Sequence, residues 1–177
     1  MRTRLLAAVA AVSLALISLG TASATAQAET GSISCRGGDL NLRYSPGITL
    51  TKGAVLLSGY GSMGVCTSVK YPRITGGVVR VEASLEAECL GGIGPGQAKV
   101  TIAWNDGSKS VINQSAIRGT IESFILEGGS VASGRFLGGT THASGRTTTD
   151  PVALSADCAL GGLTSYHSTI DQFTIAS

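Results

Sequence analysis

Apolar and polar residues alternate along much of the chain with a period of two. Val79, Val81, Ala83, Leu85, Ala87 and Cys89 share one phase, with Arg80, Glu82, Ser84, Glu86 and Glu88 between them. Successive side chains of an extended strand point to opposite faces. The pattern therefore predicts a long strand with one buried and one solvated face. Val100, Ile102 and Trp104 repeat it, as do Val152, Leu154, Ala156 and Cys158. Weaker alternations run through 39–44, 54–58, 117–127, 130–137 and 168–176. Beyond residue 28 no apolar stripe keeps the 3.6-residue period of a helix.

Glycine punctuates these runs. Of 25 glycines, paired ones at 37–38, 76–77, 91–92, 128–129, 138–139 and 161–162 stand between or at the ends of apolar stretches. Asn105-Asp106-Gly107 after Trp104 is a short-range hairpin signal, and Tyr44-Ser45-Pro46-Gly47 reads as a further turn. About nine to eleven short strands at this spacing predict an all-β domain. A two-sheet antiparallel sandwich is the favoured architecture, with a closed β-barrel as runner-up. The order Cys89, Trp104, Cys158 follows the Cys…Trp…Cys order of immunoglobulin domains only by analogy. Ala156 stands where their corner tyrosine would be.

The first residues read differently. Arg2 and Arg4 precede an apolar run from Leu5 to Leu19, interrupted only by Ser13 and Ser18 and followed by small-residue steps up to Ala28. The run is shorter than the roughly 20 residues a membrane-spanning helix needs. The order of charge, apolar stretch and small residues is that of a helical secretory signal. Cleavage is expected after Ala28, with Ala24 and Ala26 as alternatives. That leaves residues 29–177 as a single domain. The whole chain carries a net charge of +2 from 13 basic and 11 acidic residues. Removing Arg2 and Arg4 leaves 11 basic residues against the same 11 acids, so the secreted domain is neutral. Neutrality and the lack of basic runs argue against a nucleic-acid partner. No membrane association is expected once the signal is gone.

Cys35, Cys66, Cys89 and Cys158 make an even set in an exported chain, the arrangement of two disulfides. Of the three connectivities, Cys35–Cys66 with Cys89–Cys158 is favoured, because sequential closure suits hairpin-rich folds. On the loop-entropy model each bridge contributes roughly 3–4.5 kcal/mol. No C-x-x-C pair occurs and both histidines are remote from every cysteine in sequence, which disfavours zinc. No metal site and no cofactor are expected.

Several constellations touch on chemistry. Gly59-Tyr60-Gly61-Ser62-Met63-Gly64 fits G-x-G-x-x-G. Dinucleotide binding would need a helix to open there, and turn and β-branched residues follow instead, so a glycine-rich loop or bulge is expected. His142 and His167 are the only histidines, with Asp150 and Asp171 available as acids, but no G-x-S-x-G elbow is present. His142, among Thr, Ser and Gly, reads as a loop residue. Glu82, Glu86 and Glu88 share one strand face, which reads as the solvated side rather than as a calcium or glycosidase site. Sugar stacking would fall to Tyr44, Tyr60, Tyr71 and Tyr166, since Trp104 lies on a core phase. Asn113-Gln114-Ser115 matches a glycosylation sequon.

The Ala-Thr-Ser-rich signal and the run 45–50, Ser-Pro-Gly-Ile-Thr-Leu, resemble those of small secreted β-rich proteins of actinobacteria, streptomycetes in particular. The stretches 100–108 and 129–136 share the likeness. The resemblance implies an exported, disulfide-bonded β domain and brings no catalytic residues with it. The sequence leans away from an enzyme. The leading expectation is a secreted, non-enzymatic extracellular binding module for a protein or a surface glycan, with strand addition at a sheet edge as one mode. A carbohydrate-binding domain and a small secreted hydrolase are the alternatives.

Overall fold

A computed structural model describes residues 31–177, so the expected signal segment at 1–28 lies outside the described residues. Eight strands follow in order: β1 (Ile33–Ile48), β2 (Gly53–Thr67), β3 (Gly77–Ala87), β4 (Ile93–Trp104), β5 (Lys109–Gly119), β6 (Ser123–Gly134), β7 (Thr140–Thr147) and β8 (Leu163–Ala176). One helix, α1 (Pro151–Leu160), stands between β7 and β8. Each strand pairs antiparallel with the next, and β8 returns to pair with β1 from Ile33↔Ile175 to Ile48↔Leu163. The sheet is thus a closed barrel, and the expected sandwich is corrected. Both architectures demand strands with one apolar face. Only the long-range β1–β8 ladder distinguishes them, and alternation within a strand carries no information about it.

The strand count falls to eight for two local reasons. Tyr44-Ser45-Pro46-Gly47 does not turn the chain. It lies inside β1, where the register against β8 jumps between Arg43 and Ile48. The alternation at 152–158 is a helix rather than a strand. The Asp150 carboxylate accepts from the backbone N–H groups of Val152 (2.8 Å) and Ala153 (3.2 Å), and Pro151 occupies the first turn, where its missing N–H costs nothing. Leu154 and Cys158, four apart on one helical face, are buried, whereas Val152 and Ala156 are exposed. A four-residue spacing satisfies both periods, which is why the sequence is ambiguous there.

The inward phases fill the barrel. Leu40, Leu42, Val79, Val81, Val100, Ile112, Phe124, Leu126 and Phe173 are all buried. At one end, Trp104 donates its indole N–H to Ser110 Oγ (2.9 Å), which donates to the Arg135 carbonyl (2.6 Å). Phe136 packs edge-on against Trp104 and Tyr71 there, and the Arg135 guanidinium lies 4.3 Å from the Tyr71 ring centre. At the other end α1 lays Leu154 against the core. Two disulfides staple the fold. Cys35–Cys66 joins residues directly opposite each other on β1 and β2, and Cys89–Cys158 ties α1 to the β3–β4 connection. Such bridges belong to proteins matured in an oxidising compartment. Among the described residues no helix is long and apolar enough to cross a membrane. The strands are apolar inward and polar outward, the reverse of the transmembrane-barrel pattern.

The G-x-G-x-x-G run is neither a loop nor a break: all six residues belong to β2. Gly61 shows what the glycines do. A Cβ there would stand 1.9 Å from the Asp39 carbonyl oxygen on β1, so the two strands approach more closely than any side chain allows. Gly61→Ala should lower stability by about 3 kcal/mol. Gly53→Ala, in open space at the start of β2, should change it by less than about 0.5 kcal/mol. Urea unfolding midpoints of the two variants check the contrast, and equal midpoints would show that the ribbon relaxes freely.

Candidate functional site

The barrel interior is the first place to look for a ligand, and it is full. Two cavities within it measure about 20 and 30 Å³, whereas small-molecule pockets run to roughly 300–1,000 Å³. A polar aromatic pair stands inside, in addition to the buried hydroxyls of Ser115, Thr141 and Ser168. Tyr44 and Tyr166, 5% and 4% exposed, stack with ring centres 5.6 Å apart and share a 2.9 Å hydroxyl–hydroxyl hydrogen bond. Each phenol satisfies the other in an otherwise apolar layer of Leu42, Leu57, Ile117 and Phe124. Burial pushes the Tyr166 phenol up to about 12 and holds Tyr44 above the ordinary phenol range, with the neighbouring ring oxygen adding to the effect on Tyr44.

The outer face offers more room. A groove of about 520 Å³ crosses β8, β1, β2 and β3. Its centre is a row of outward side chains set by the ladder: His167 opposite Asn41, Asn41 opposite Tyr60, and Tyr60 opposite Arg80. A second row lies two residues along: Ser165, Arg43, Ser58, Glu82 and Lys99. The groove continues through depressions of about 420 and 620 Å³ on either side of Leu56, reaching Gln97 on β4 and Asn113 and Gln114 on β5. Six strands contribute to it. Strand spacings of about 4.8 Å make it long enough for an extended chain.

The depression has a cause in β2. Gly59 points inward without a side chain, and a Cβ there would lie 2.9 Å from a Leu42 methyl. The β2 backbone therefore sits close to the core, and the outer surface dips where Tyr60 stands. Tyr60 is 56% exposed and Leu56 62%. At the β5 end, a register jump between Ala98/Ser115 and Val100/Ile112 accompanies Gln114 at φ 58°, in the left-handed region. This bulge brings Asn113 and Gln114 out to the rim.

The other candidate residues separate. Tyr44 and Tyr166 face inward, Tyr71 is half-buried at the Trp104 end, and only Tyr60 is an open ring, so the four tyrosines form no common platform. His142 lies in strand β7, not in a loop, opposite Glu127, whose carboxylate pairs with Arg118 at 2.8 Å. His167 reaches the groove, yet neither imidazole hydrogen-bonds a serine or an acid among the described residues. Asp150 caps α1 and Asp171 pairs with Arg146 at 3.3 Å. Glu86 pairs with Lys52 at 2.9 Å, and Glu82 lines the groove. Among the described residues no three His, Cys, Asp or Glu side chains converge as metal ligands. The residues that sequence reasoning passed over are Asn41, Arg43 and Arg80. Each sits on the polar phase of its strand, where one position looks like any other until the strands are aligned.

An eight-stranded antiparallel meander barrel with an external polar groove is thus the class that the geometry defines. Comparison with protein-family models, curated proteins and solved structures finds no match to the chain.

The tyrosine pair yields a test. Tyr166→Phe leaves the buried Tyr44 hydroxyl unpaired and should cost about 1–3 kcal/mol, whereas the Tyr44→Phe/Tyr166→Phe double variant should lie close to the parent. The raised phenol values also set a pH dependence. The unfolded chain ionises near pH 10 and the folded one does not, so this contribution is complete below pH 10 and is lost as pH rises toward about 12. Urea unfolding at about pH 9 and about pH 11 should show a decline in the parent that the double variant lacks.

Proposed function

We propose that the protein is a secreted, non-enzymatic binding module that holds an extended surface glycan along the outer groove. The observation that carries this reading is the groove across β8, β1, β2 and β3 with the adjoining depressions, lined by hydroxyl, amide and charged side chains around one open aromatic ring. Sugars present hydroxyl groups at their edges and C–H groups on their faces. Serine, asparagine and glutamine match the former, and an exposed tyrosine ring matches the latter. Closure of the barrel removes the alternative route. A sheet with no free edge has no unpaired ladder to offer, so recognition by strand addition is not available to a protein partner. The rigid scaffold, stapled twice, suits a surface that binds without rearranging. Among the described residues neither histidine side chain bonds a serine or an acid, the contact a hydrolase would need.

Retention of the folded domain on a panel of purified polysaccharides, followed by calorimetry with the best binder, tests the proposal. Tyr60→Ala should weaken binding about tenfold while leaving the melting temperature unchanged, since the ring is outside the core. Retention on none of the polymers, or binding indifferent to Tyr60, would overturn it.

A further inference from the structure

The groove also carries charge that no stretch of the sequence displays. Arg80 stands directly beside Tyr60 on β3, and Arg43 stands diagonally across from it on β1. Both line the same groove, and neither is in an ion pair among the described residues. Lys99 follows further along, where the depression passes onto β4. One carboxylate, Glu82, lines the groove two residues from Arg80 on β3. The local balance is positive even though the secreted domain as a whole is neutral.

Two unpaired guanidinium groups flanking an exposed ring are a poor fit to a neutral sugar. Their charge would be partly desolvated by the ligand with nothing to meet it. A guanidinium presents a planar fork that matches a carboxylate with two parallel hydrogen bonds. We propose that the groove is selective for an acidic glycan, a polymer of carboxylate-bearing sugars. One ring lies on Tyr60, and carboxylates to either side meet Arg80 and Arg43. This inference rests on the glycan-binding reading above and names the class of its substrate. Glu82 has a place in the same scheme. It lies opposite Ser58 on one side and Lys99 on the other, where it can accept from sugar hydroxyls.

The test uses the folded domain with polygalacturonate and alginate as acidic probes, dextran and a neutral β-glucan as uncharged ones, and polyglutamate as a non-saccharide polyanion. Affinity electrophoresis at low and raised salt reads binding, and thermal melting confirms that each variant is folded. The expected result is binding of an acidic polysaccharide about tenfold tighter than the neutral polymers, weakened by salt. Arg43→Gln and Arg80→Gln should each remove about tenfold of it. Lys70→Gln, in the β2–β3 connection beside Tyr71 and away from the groove, should leave it unchanged. Equal binding of neutral polymers that depends on Tyr60 but not on the arginines would overturn the acidic selectivity and leave the glycan module standing. Equal binding of polyglutamate, or equal losses in the Lys70 variant, would show a general polyanion surface and overturn the proposal. Binding to none of the polysaccharides would overturn both readings.

Discussion

The antiparallel ladder between β8 and β1 is the interaction on which the rest of the molecule depends. It joins residues more than a hundred positions apart and converts a meander of hairpins into a closed surface. Once it forms, every strand has two neighbours and no ladder of backbone groups is left at an edge. One face of every strand then points into a common interior, and the apolar phases of all eight meet there. The two disulfides act around this closure. Cys35–Cys66 locks the register of β1 against β2, and Cys89–Cys158 holds the helix that lies across one end.

Closure also decides where the protein can bind anything. The interior is packed to cavities of a few tens of cubic ångströms, and the Tyr44–Tyr166 pair within it is satisfied internally. Recognition is left to the outer face. There, the glycines of β2 matter twice. Gly61 lets β1 and β2 come together more closely than a side chain permits, and Gly59 sinks the strand so that Tyr60 rises from a hollow rather than from a convex wall. A motif that resembles a dinucleotide-binding loop in sequence is here part of a continuous strand that lines a groove.

Much of this was legible beforehand, and the failures have physical causes. The inward phases of 79–89 and 100–104 were readable because burial of one face imposes a period of two. The segment 151–160 misled because Leu154 and Cys158 lie four apart, a spacing that both a strand and a helix accept. Asp150 and Pro151 were the signal that separated the two. The sandwich was preferred because strand patterning is blind to pairing between distant strands. The groove was more accessible than it looked. With Cys35 opposite Cys66 on antiparallel neighbours, counting six residues inward from each places Asn41 opposite Tyr60. Arg80 has no such anchor, since it joins the row only through the β2–β3 register.

The sequence by itself determined that this chain forms amphipathic strands punctuated by glycine, with its tryptophan inside. These are local consequences of side-chain period and backbone freedom. The tertiary structure alone decided that the sheet closes, that four tyrosines divide into a buried pair, a packed one and an open one, and that Arg43 and Arg80 gather about the open ring. Those outcomes depend on register between strands distant in sequence. Register is set by the packing of the whole interior at once, and no single strand contains it.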